Sequence, residues 1–442
     1  MRTPLVIYGL AHARPSLDVG QVTLFDIDQD RAETIAGLGR EILRRSDHGF
    51  EIRVASQLED AAEGADFVLN SIRVGGLAAR ARDERIAIGH GLAGQETTGP
   101  AGAAMALRTL PVTLQHARIV EQVAPGAWFI NFTNPAGLMT QALQQHTKLR
   151  VIGICDTPIE LFHRIAESVG EPIGNMQFDY AGLNHLGWVR RVLLRGQDIT
   201  DRLLSQPELL RRLYPAGLFD PALIQALRLI PTEYLFFYYS QRKAHQNQLR
   251  AGSSRGAELE LMNADLFKRL RNADVAEGLA IYRAYLLQRN ASYMKLEAQA
   301  ESAFDVAKED YDPFETATGY HRIALDVLGG LVSGRKREVV LNVRNDGAIE
   351  DLEPSDVVEV PCEVDCSGAR PKRTGRLPDS VRGLVLAVKA YERTAIRAAS
   401  SGSEALAQLA MLEYPIIGQW ELAGELTRSL IREDPEHLGY LK

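Results

Sequence analysis

Short apolar runs alternate with helix-like stretches through the first third of the chain, and this alternation constrains the fold more than any other feature. Val22-Thr23-Leu24-Phe25, Phe67-Val68-Leu69, Trp128-Phe129-Ile130 and Val151-Ile152-Gly153-Ile154 have the length and composition of buried strands. Helix-like segments fill 29–46, 103–124 and 136–147 between them. Strand and helix in this order imply βαβ crossovers and a mostly parallel, Rossmann-like α/β sheet that binds ligands at the carboxyl ends of its strands. Cys155 and the Asn131-to-Asn134 segment both fall at such ends.

After about residue 175 the pattern changes. β segments surround His185, a helix-rich region runs from roughly 199 to 310, and Glu338 to Val343 leads through Asp346-Gly347 into a second β stretch, Val357 to Val364. Amphipathic helices close the chain. The expectation is a Rossmann-like nucleotide-binding domain over 1–175 and an α+β catalytic and substrate domain over 176–442.

With 442 residues, 45% of them hydrophobic, the chain is long enough for two such domains. Its net charge of -7 is spread over interspersed acids and bases, with no basic stripe, so nucleic acid is not an expected partner. No run approaches the ~18 consecutive apolar residues of a membrane span. Three cysteines make no disulfide framework and no signal-peptide pattern opens the sequence, so a reducing cytoplasm is the expected compartment. Cys362 and Cys366, in Cys-Glu-Val-Asp-Cys, read as structural thiols on a strand.

A thiolate at Cys155 and an imidazole at His185, each where a strand gives way to a loop, can together hold one divalent metal in a site otherwise open to substrate. Taken alone, the pair reads more readily as buried core than as a ligand set, because free cysteine is among the most buried residue types. Asp26 ends Leu24-Phe25-Asp26 as the acid that takes adenosine ribose hydroxyls in a dinucleotide fold. Only a helix-like segment, Pro4 to Ala13, precedes it, and no Gly-x-Gly-x-x-Gly lies upstream.

Five blocks carry a resemblance: Arg73-Val74-Gly75-Gly76, Gly94-Gln95-Glu96-Thr97-Thr98-Gly99-Pro100, Asn131-Phe132-Thr133-Asn134-Pro135, Cys155-Asp156-Thr157-Pro158 and Gly182-Leu183-Asn184-His185. In this order and spacing the chain resembles glycoside hydrolase family 4, the NAD- and manganese-dependent glycosidases that include 6-phospho-α- and 6-phospho-β-glucosidases. The likeness extends to Arg344-Asn345-Asp346-Gly347-Ala348-Ile349 and Val360-Pro361-Cys362. Members typically begin with a strand and a Gly-Gly-Gly-Ser turn followed closely by Thr-Pro. Arg2-Thr3-Pro4 looks like the residues just after that turn, so the first strand and phosphate loop are expected to be missing and NAD binding to be weak.

The resemblance implies redox-assisted elimination, an exception to two-carboxylate glycoside hydrolysis. NAD takes a hydride from sugar C3, a base removes the acidified C2 proton, the glycosidic oxygen leaves, water adds, and the hydride returns. Cys155 and His185 match the family's ligands for Mn2+ or another divalent metal, which would act as a Lewis acid on the C2 and C3 oxygens.

Asp156 follows as the acid for the leaving oxygen or, alternatively, as a helix N-cap; the family places aspartate there in its α-specific branch and asparagine in its β-specific one. Tyr234, in Pro231-Thr232-Glu233-Tyr234, matches the proposed C2 base, whose phenol needs a nearby cation to ionise at neutral pH. Asn131 is expected at the nicotinamide ribose. Asn134 and Asn184 are expected at the sugar, although Asn134 also suits the N-cap of a helix begun by Pro135.

Arg73 and Arg82 suit a substrate phosphate, Arg82 also reading as solvated surface within the charged run 80–85, and Arg289 is a further substrate candidate. Gln95-Glu96 can orient substrate or cap its loop; both readings stay open. The combined expectation is an NAD- and Mn-dependent 6-phospho-β-glucosidase acting on a small phosphorylated sugar as a homodimer or homotetramer. The alternatives are a 6-phospho-α-glucosidase, a malate-dehydrogenase-like oxidoreductase and a pseudo-enzyme that binds sugar.

Overall fold

The computed structural model describes residues 2–13, 16–47, 49–215, 217–298, 312–315 and 318–442. The last part of the expected helix-rich region, 299–310, lies outside them. The strands, in order, are β1 (Gln21–Leu24), β2 (Glu51–Val54), β3 (Phe67–Asn70), β4 (Trp128–Asn131), β5 (Arg150–Gly153), β6 (Met176–Leu183), β7 (Leu186–Leu194), β8 (Gln197–Asp198), β9 (Ile230–Pro231), β10 (Arg337–Arg344), β11 (Val357–Asp365) and β12 (Gly368–Pro371). The helices that position the site are α1 (Thr3–Ala11), α2 (Gln29–Arg44), α3 (Gly76–Gly89), α4 (Gly99–Val123), α5 (Ala136–His146), α6 (Thr157–Val169), α7 (Arg255–Asn272), α8 (Val275–Ala291) and α9 (Asp379–Ser401).

The four expected strands form as β1, β3, β4 and β5; β1 pairs in parallel with β2, a strand the apolar runs do not predict, and β3, β4 and β5 run parallel in consecutive order. They lie in two separate sheets, because among the described residues no strand bridges β1 to β3. The larger sheet continues from β5 through antiparallel β10, β11, β6, β7 and β8, so Rossmann-like and α+β parts share one hydrogen-bonded surface. Its register puts Asn342 opposite Gly153 and Glu359 opposite Gly182, which brings side chains of β10 and β11 behind the carboxyl end of β5.

The apolar periodicity explains the packing. Buried Ala104, Leu107 and Leu110 of α4 and Leu138, Met139 and Ala142 of α5 belong to one core with Phe129, Ile130 and Ile152 of the sheet. The leucine, isoleucine, methionine and phenylalanine side chains among them contribute roughly 1.5–3 kcal/mol each when fully removed from water. A second core joins Ile7 of α1 and Ile35 of α2 to Leu266 of α7 and Tyr282 of α8. The edge carrying Asp26 is thus supported by helices from the second half of the chain. No helix among the described residues is long and apolar enough to cross a membrane.

Two local expectations change. Arg82 is no solvated residue: it is about one quarter exposed and its guanidinium meets Asp434 at 2.6 Å. The charged run 80–85 instead turns Arg80, Asp83 and Glu84 inward on one face of α3. Cys362 is buried as expected of a structural thiol, with Sγ donating to Val360 O, whereas Cys366 is exposed.

Candidate active site

A 2390 Å³ cavity extends from Asp26 and Arg31 beside β1, past Arg73 and Asn134, to Asp156, Tyr234 and Arg289. Much of it lies where the carboxyl ends of β3 and β5 give way to loops, as doubly wound sheets dictate.

β5 ends at Gly153, Ile154 N donates to Asn131 O at 3.0 Å, and Cys155 and Asp156 then lead into α6. Asp156 occupies the N-cap position without a side-chain capping bond. Its carboxylate accepts instead from Arg2 Nη1 at 2.7 Å and lines the cavity. Cys155 is buried, and burial, reinforced by Glu359 and Asp156, pushes its thiol well above the usual range. The thiol therefore stays protonated until a cation displaces its proton.

His185 sits in the two-residue turn between β6 and β7 with φ 60°, a left-handed conformation that costs a non-glycine residue about 1 kcal/mol. Its imidazole stacks on Tyr234, ring centroids 3.7 Å apart and planes 5° apart, and its Nδ1 lies 2.7 Å from Thr97 Oγ1. Burial lowers its pKa to about 4, opposed by Glu96, so the ring is neutral at physiological pH. Cys155 and His185 are not in the cavity wall, contrary to the expectation of a site open to substrate; both are buried, and Tyr234 lies against His185 and lines the cavity. Nε2 has no hydrogen-bond partner among the described residues and is not sealed from solvent-accessible space. A free imidazole lone pair and a buried thiol near one tyrosine suit a borderline-soft divalent cation with open positions, since two protein donors leave the others vacant. No cluster of three or more His, Cys, Asp or Glu side chains with metal-holding geometry occurs among the described residues.

Burial, followed by the charge of Glu96, pushes the Tyr234 phenol well above its ordinary value. Tyr293 hydrogen-bonds to Tyr234 and donates to Glu233 Oε1 at 3.2 Å. Around them stands an arginine and glutamate lattice. Arg73 and Arg80 reach Glu96 Oε2 at 2.5 and 2.8 Å, and Arg80 also binds Glu84 at 2.7 Å. Although burial alone would raise Glu96, Arg80 and Arg73 hold its carboxyl well below the usual range. Arg289 lines the cavity without a carboxylate partner among the described residues, and its pKa is lowered by burial and by Arg2.

The amide residues separate. Asn134 lines the cavity, and its Oδ1 is buried without a partner. It does not cap α5; Asn184 Oδ1 accepts from Ala136 N at 3.0 Å instead. Asn184 therefore does not face the cavity, and its Nδ2 donates to Glu359 Oε1 at 3.1 Å. Asn131 is fully buried, accepting from Asn70 Nδ2 at 3.1 Å and donating to Thr133 O at 3.0 Å. Both amides are engaged in internal hydrogen bonds. Asp26 lines the opposite end of the cavity, paired with Arg31 at 2.9 Å.

Sequence reasoning missed Arg80 and Glu359. Arg80, Asp83, Glu84 and Ala87 follow a one-face helical spacing that signals an inward charged stripe. For Glu359, alternation placed it on a strand but could not reveal Tyr180, Asn184 and Asn342, which all donate to it. Gly187 permits this: a Cβ there would lie 2.0 Å from the Tyr180 hydroxyl.

Comparison with known proteins decides the family. The pattern of the family 4 glycosyl hydrolases matches residues 1–171, and that of their C-terminal domain matches residues 180–417. The chain belongs to the family 4 glycosyl hydrolases. It is 28% identical to a probable 6-phospho-beta-glucosidase of Bacillus subtilis, covering 99% of this chain and 94% of that protein. Among solved family 4 glycosyl hydrolases, the Thermotoga maritima 6-phospho-beta glucosidase with manganese, NAD+ and glucose-6-phosphate superimposes with TM-score 0.81 at 25% identity, covering 98% and 96% of the two chains. A 6-phospho-alpha-glucosidase from gut microorganisms in complex with NAD and glucose-6-phosphate gives TM-score 0.82 at 25% identity over 99% and 97%.

Proposed function

We propose that this family 4 glycosyl hydrolase cleaves 6-phospho-β-glucosides by redox-assisted elimination and addition in the cytoplasm. The single observation that carries this reading is the continuity of the cavity: one space joins Asp26, suited to a ribose, to Arg73, Tyr234 and Arg289, suited to a sugar phosphate. NAD would supply a hydride acceptor for sugar C3, and a divalent cation such as Mn2+, held by Cys155 and His185, would polarise the C2 and C3 oxygens.

Tyr234 takes the C2 proton. Its phenol is protonated at rest and acts as a base only when positive charge nearby offsets the burial that raises it. Asn134 Oδ1, lacking an internal partner, accepts from a ligand hydroxyl. Arg289 binds the 6-phosphate, where pairing restores a guanidinium now disfavoured by burial. Arg73 approaches the sugar while Glu96 fixes its direction.

Asp156 favours a second reading, hydrolysis of the α-linked compounds. Its carboxyl lines the cavity, held by Arg2 Nη1 at 2.7 Å rather than by the N-terminus of α6, which sets it on the side of the leaving oxygen. Assaying p-nitrophenyl α- and β-glucoside 6-phosphates side by side, with NAD, Mn2+ and reductant, separates the two. The expected result is faster cleavage of the β compound, lost on chelation or on omitting NAD. Hydrolysis indifferent to both treatments overturns the mechanism, and faster cleavage of the α compound selects the second reading.

A further inference from the structure

The loop following α3 carries a hydrogen-bond pattern centred on Gln95 Oε1 that reaches His185. The backbone N–H groups of Thr97 and Thr98 each donate to Gln95 Oε1 over 2.7 Å. Because a backbone N–H only donates, the amide atom it meets is the oxygen. The hydroxyls of Thr97 and Thr98 also approach Oε1, Thr97 Oγ1 at 2.9 Å, and because an amide oxygen only accepts, a hydroxyl bonded to it is the donor. A Thr97 hydroxyl that gives its proton to Oε1 accepts from His185 Nδ1, 2.7 Å away, and in that arrangement Nδ1 carries the proton and Nε2 the lone pair.

We propose that Gln95 acts through Thr97 as a positioning residue that locks His185 in the Nδ1–H tautomer and so presents Nε2 to a divalent cation. The inference rests on the reading of His185 as a metal ligand. Metal-bound histidines are oriented by whatever accepts their other N–H, and here that acceptor is a hydroxyl whose own proton is committed elsewhere. Gln95 and Thr97 are both buried, so water does not readily replace either. The stack on Tyr234 and the left-handed backbone further restrict the ring. Gln95 also lines the cavity, and its Nε2 has no partner among the described residues, so the same amide offers a donor to bound substrate.

The test reads the tautomer directly. Metal-free protein labelled with 15N-histidine is examined at neutral pH by long-range 1H–15N NMR, with His185→Gln used only to assign the His185 signals. The expected result is a protonated Nδ1 and an unprotonated Nε2; an Nε2–H tautomer in the wild type overturns the proposal. Thr97→Val is expected to lose the fixed tautomer and to weaken Mn2+ binding about 10–100-fold in a titration followed by the free-ion EPR signal. Thr97→Ser is expected to restore both. An unchanged tautomer and affinity in Thr97→Val refutes the lock. Should Thr97→Val fail to fold, Gln95→Leu replaces it: the freed Thr97 hydroxyl can then donate to Nδ1, and the tautomer should flip. A lock seen in the wild type with no Mn2+-dependent broadening of His185 upholds the tautomer assignment and overturns the metal reading.

Discussion

The imidazole of His185 lies flat against the phenol ring of Tyr234, with centroids 3.7 Å apart and planes 5° apart. The stack ties the candidate metal ligand to the candidate base, so the two roles can be separated by keeping the ring and removing the hydroxyl. Tyr234→Phe preserves the stacked face and is expected to lower kcat by about 100-fold or more while leaving Mn2+ affinity unchanged. An undiminished kcat would remove Tyr234 from the base's role.

Arg289 supplies a test of phosphate recognition. It has no carboxylate partner among the described residues, and it lines the cavity beside Arg255, which is already engaged with Ser292 Oγ at 2.6 Å. Arg289→Met is expected to raise KM for a 6-phosphorylated glucoside about 10–100-fold, the loss of a charge-assisted hydrogen bond. KM for the unphosphorylated glucoside should hardly change. Equal effects on both substrates would place the phosphate elsewhere.

Asp434 anchors buried charge away from the chemistry. It accepts from Arg108 at 2.5 Å, meets Arg82 at 2.6 Å and lies 2.9 Å from His437 Nδ1, and Arg108 is 2% exposed. Asp434→Ala leaves that guanidinium with Asp83, at 2.7 Å, as its remaining carboxylate partner among the described residues. Urea unfolding is expected to show a loss of about 3–5 kcal/mol. KM should stay at the wild-type value, because Arg82 points to Asp434 rather than to the cavity; a raised KM would restore Arg82 as a substrate residue.

Glu359 predicts a pH dependence of stability. Burial raises its carboxyl to about 7, against the three donors Tyr180, Asn184 and Asn342. Its folded pKa therefore lies above the unfolded value of 4.5, and the favourable contribution is complete below that pH and lost as pH rises through 7. Glu359→Gln keeps an acceptor for the two asparagines and cannot ionise. Its stability relative to wild type is expected to increase by on the order of 3 kcal/mol between these limits, followed by urea midpoints across the pH range. A difference independent of pH would show that Glu359 does not titrate there.

The parallel strands and their crossover helices were legible because alternation and length are local properties of the chain. β1, β3, β4 and β5 fall on the apolar runs that predict them, and the position of Cys155 at a strand end follows from the same reading. Asp156 was open between acid and cap, and the contact that decides its orientation, with Arg2, joins residues 154 positions apart. Asn131 and Asn184 occupy the expected loops, yet both amides turn inward because Asn70, Thr133, Ala136 and Glu359 complete their hydrogen bonds there.

The sequence by itself determined four of the parallel strands, three of the helices between them, the family and the types of residue at those strand ends. The tertiary structure alone decided which of those residues meet the cavity, because a side chain's direction depends on partners far along the chain. Arg80 turns to Glu96 and Arg82 to Asp434, two residues apart on one helix and committed to different networks. His185 acquires its neutral state from burial and its proton position from Thr97 and Gln95, neither of which spacing could pair with it. Local periodicity places backbone, whereas desolvation and hydrogen-bond saturation are properties of the packed molecule.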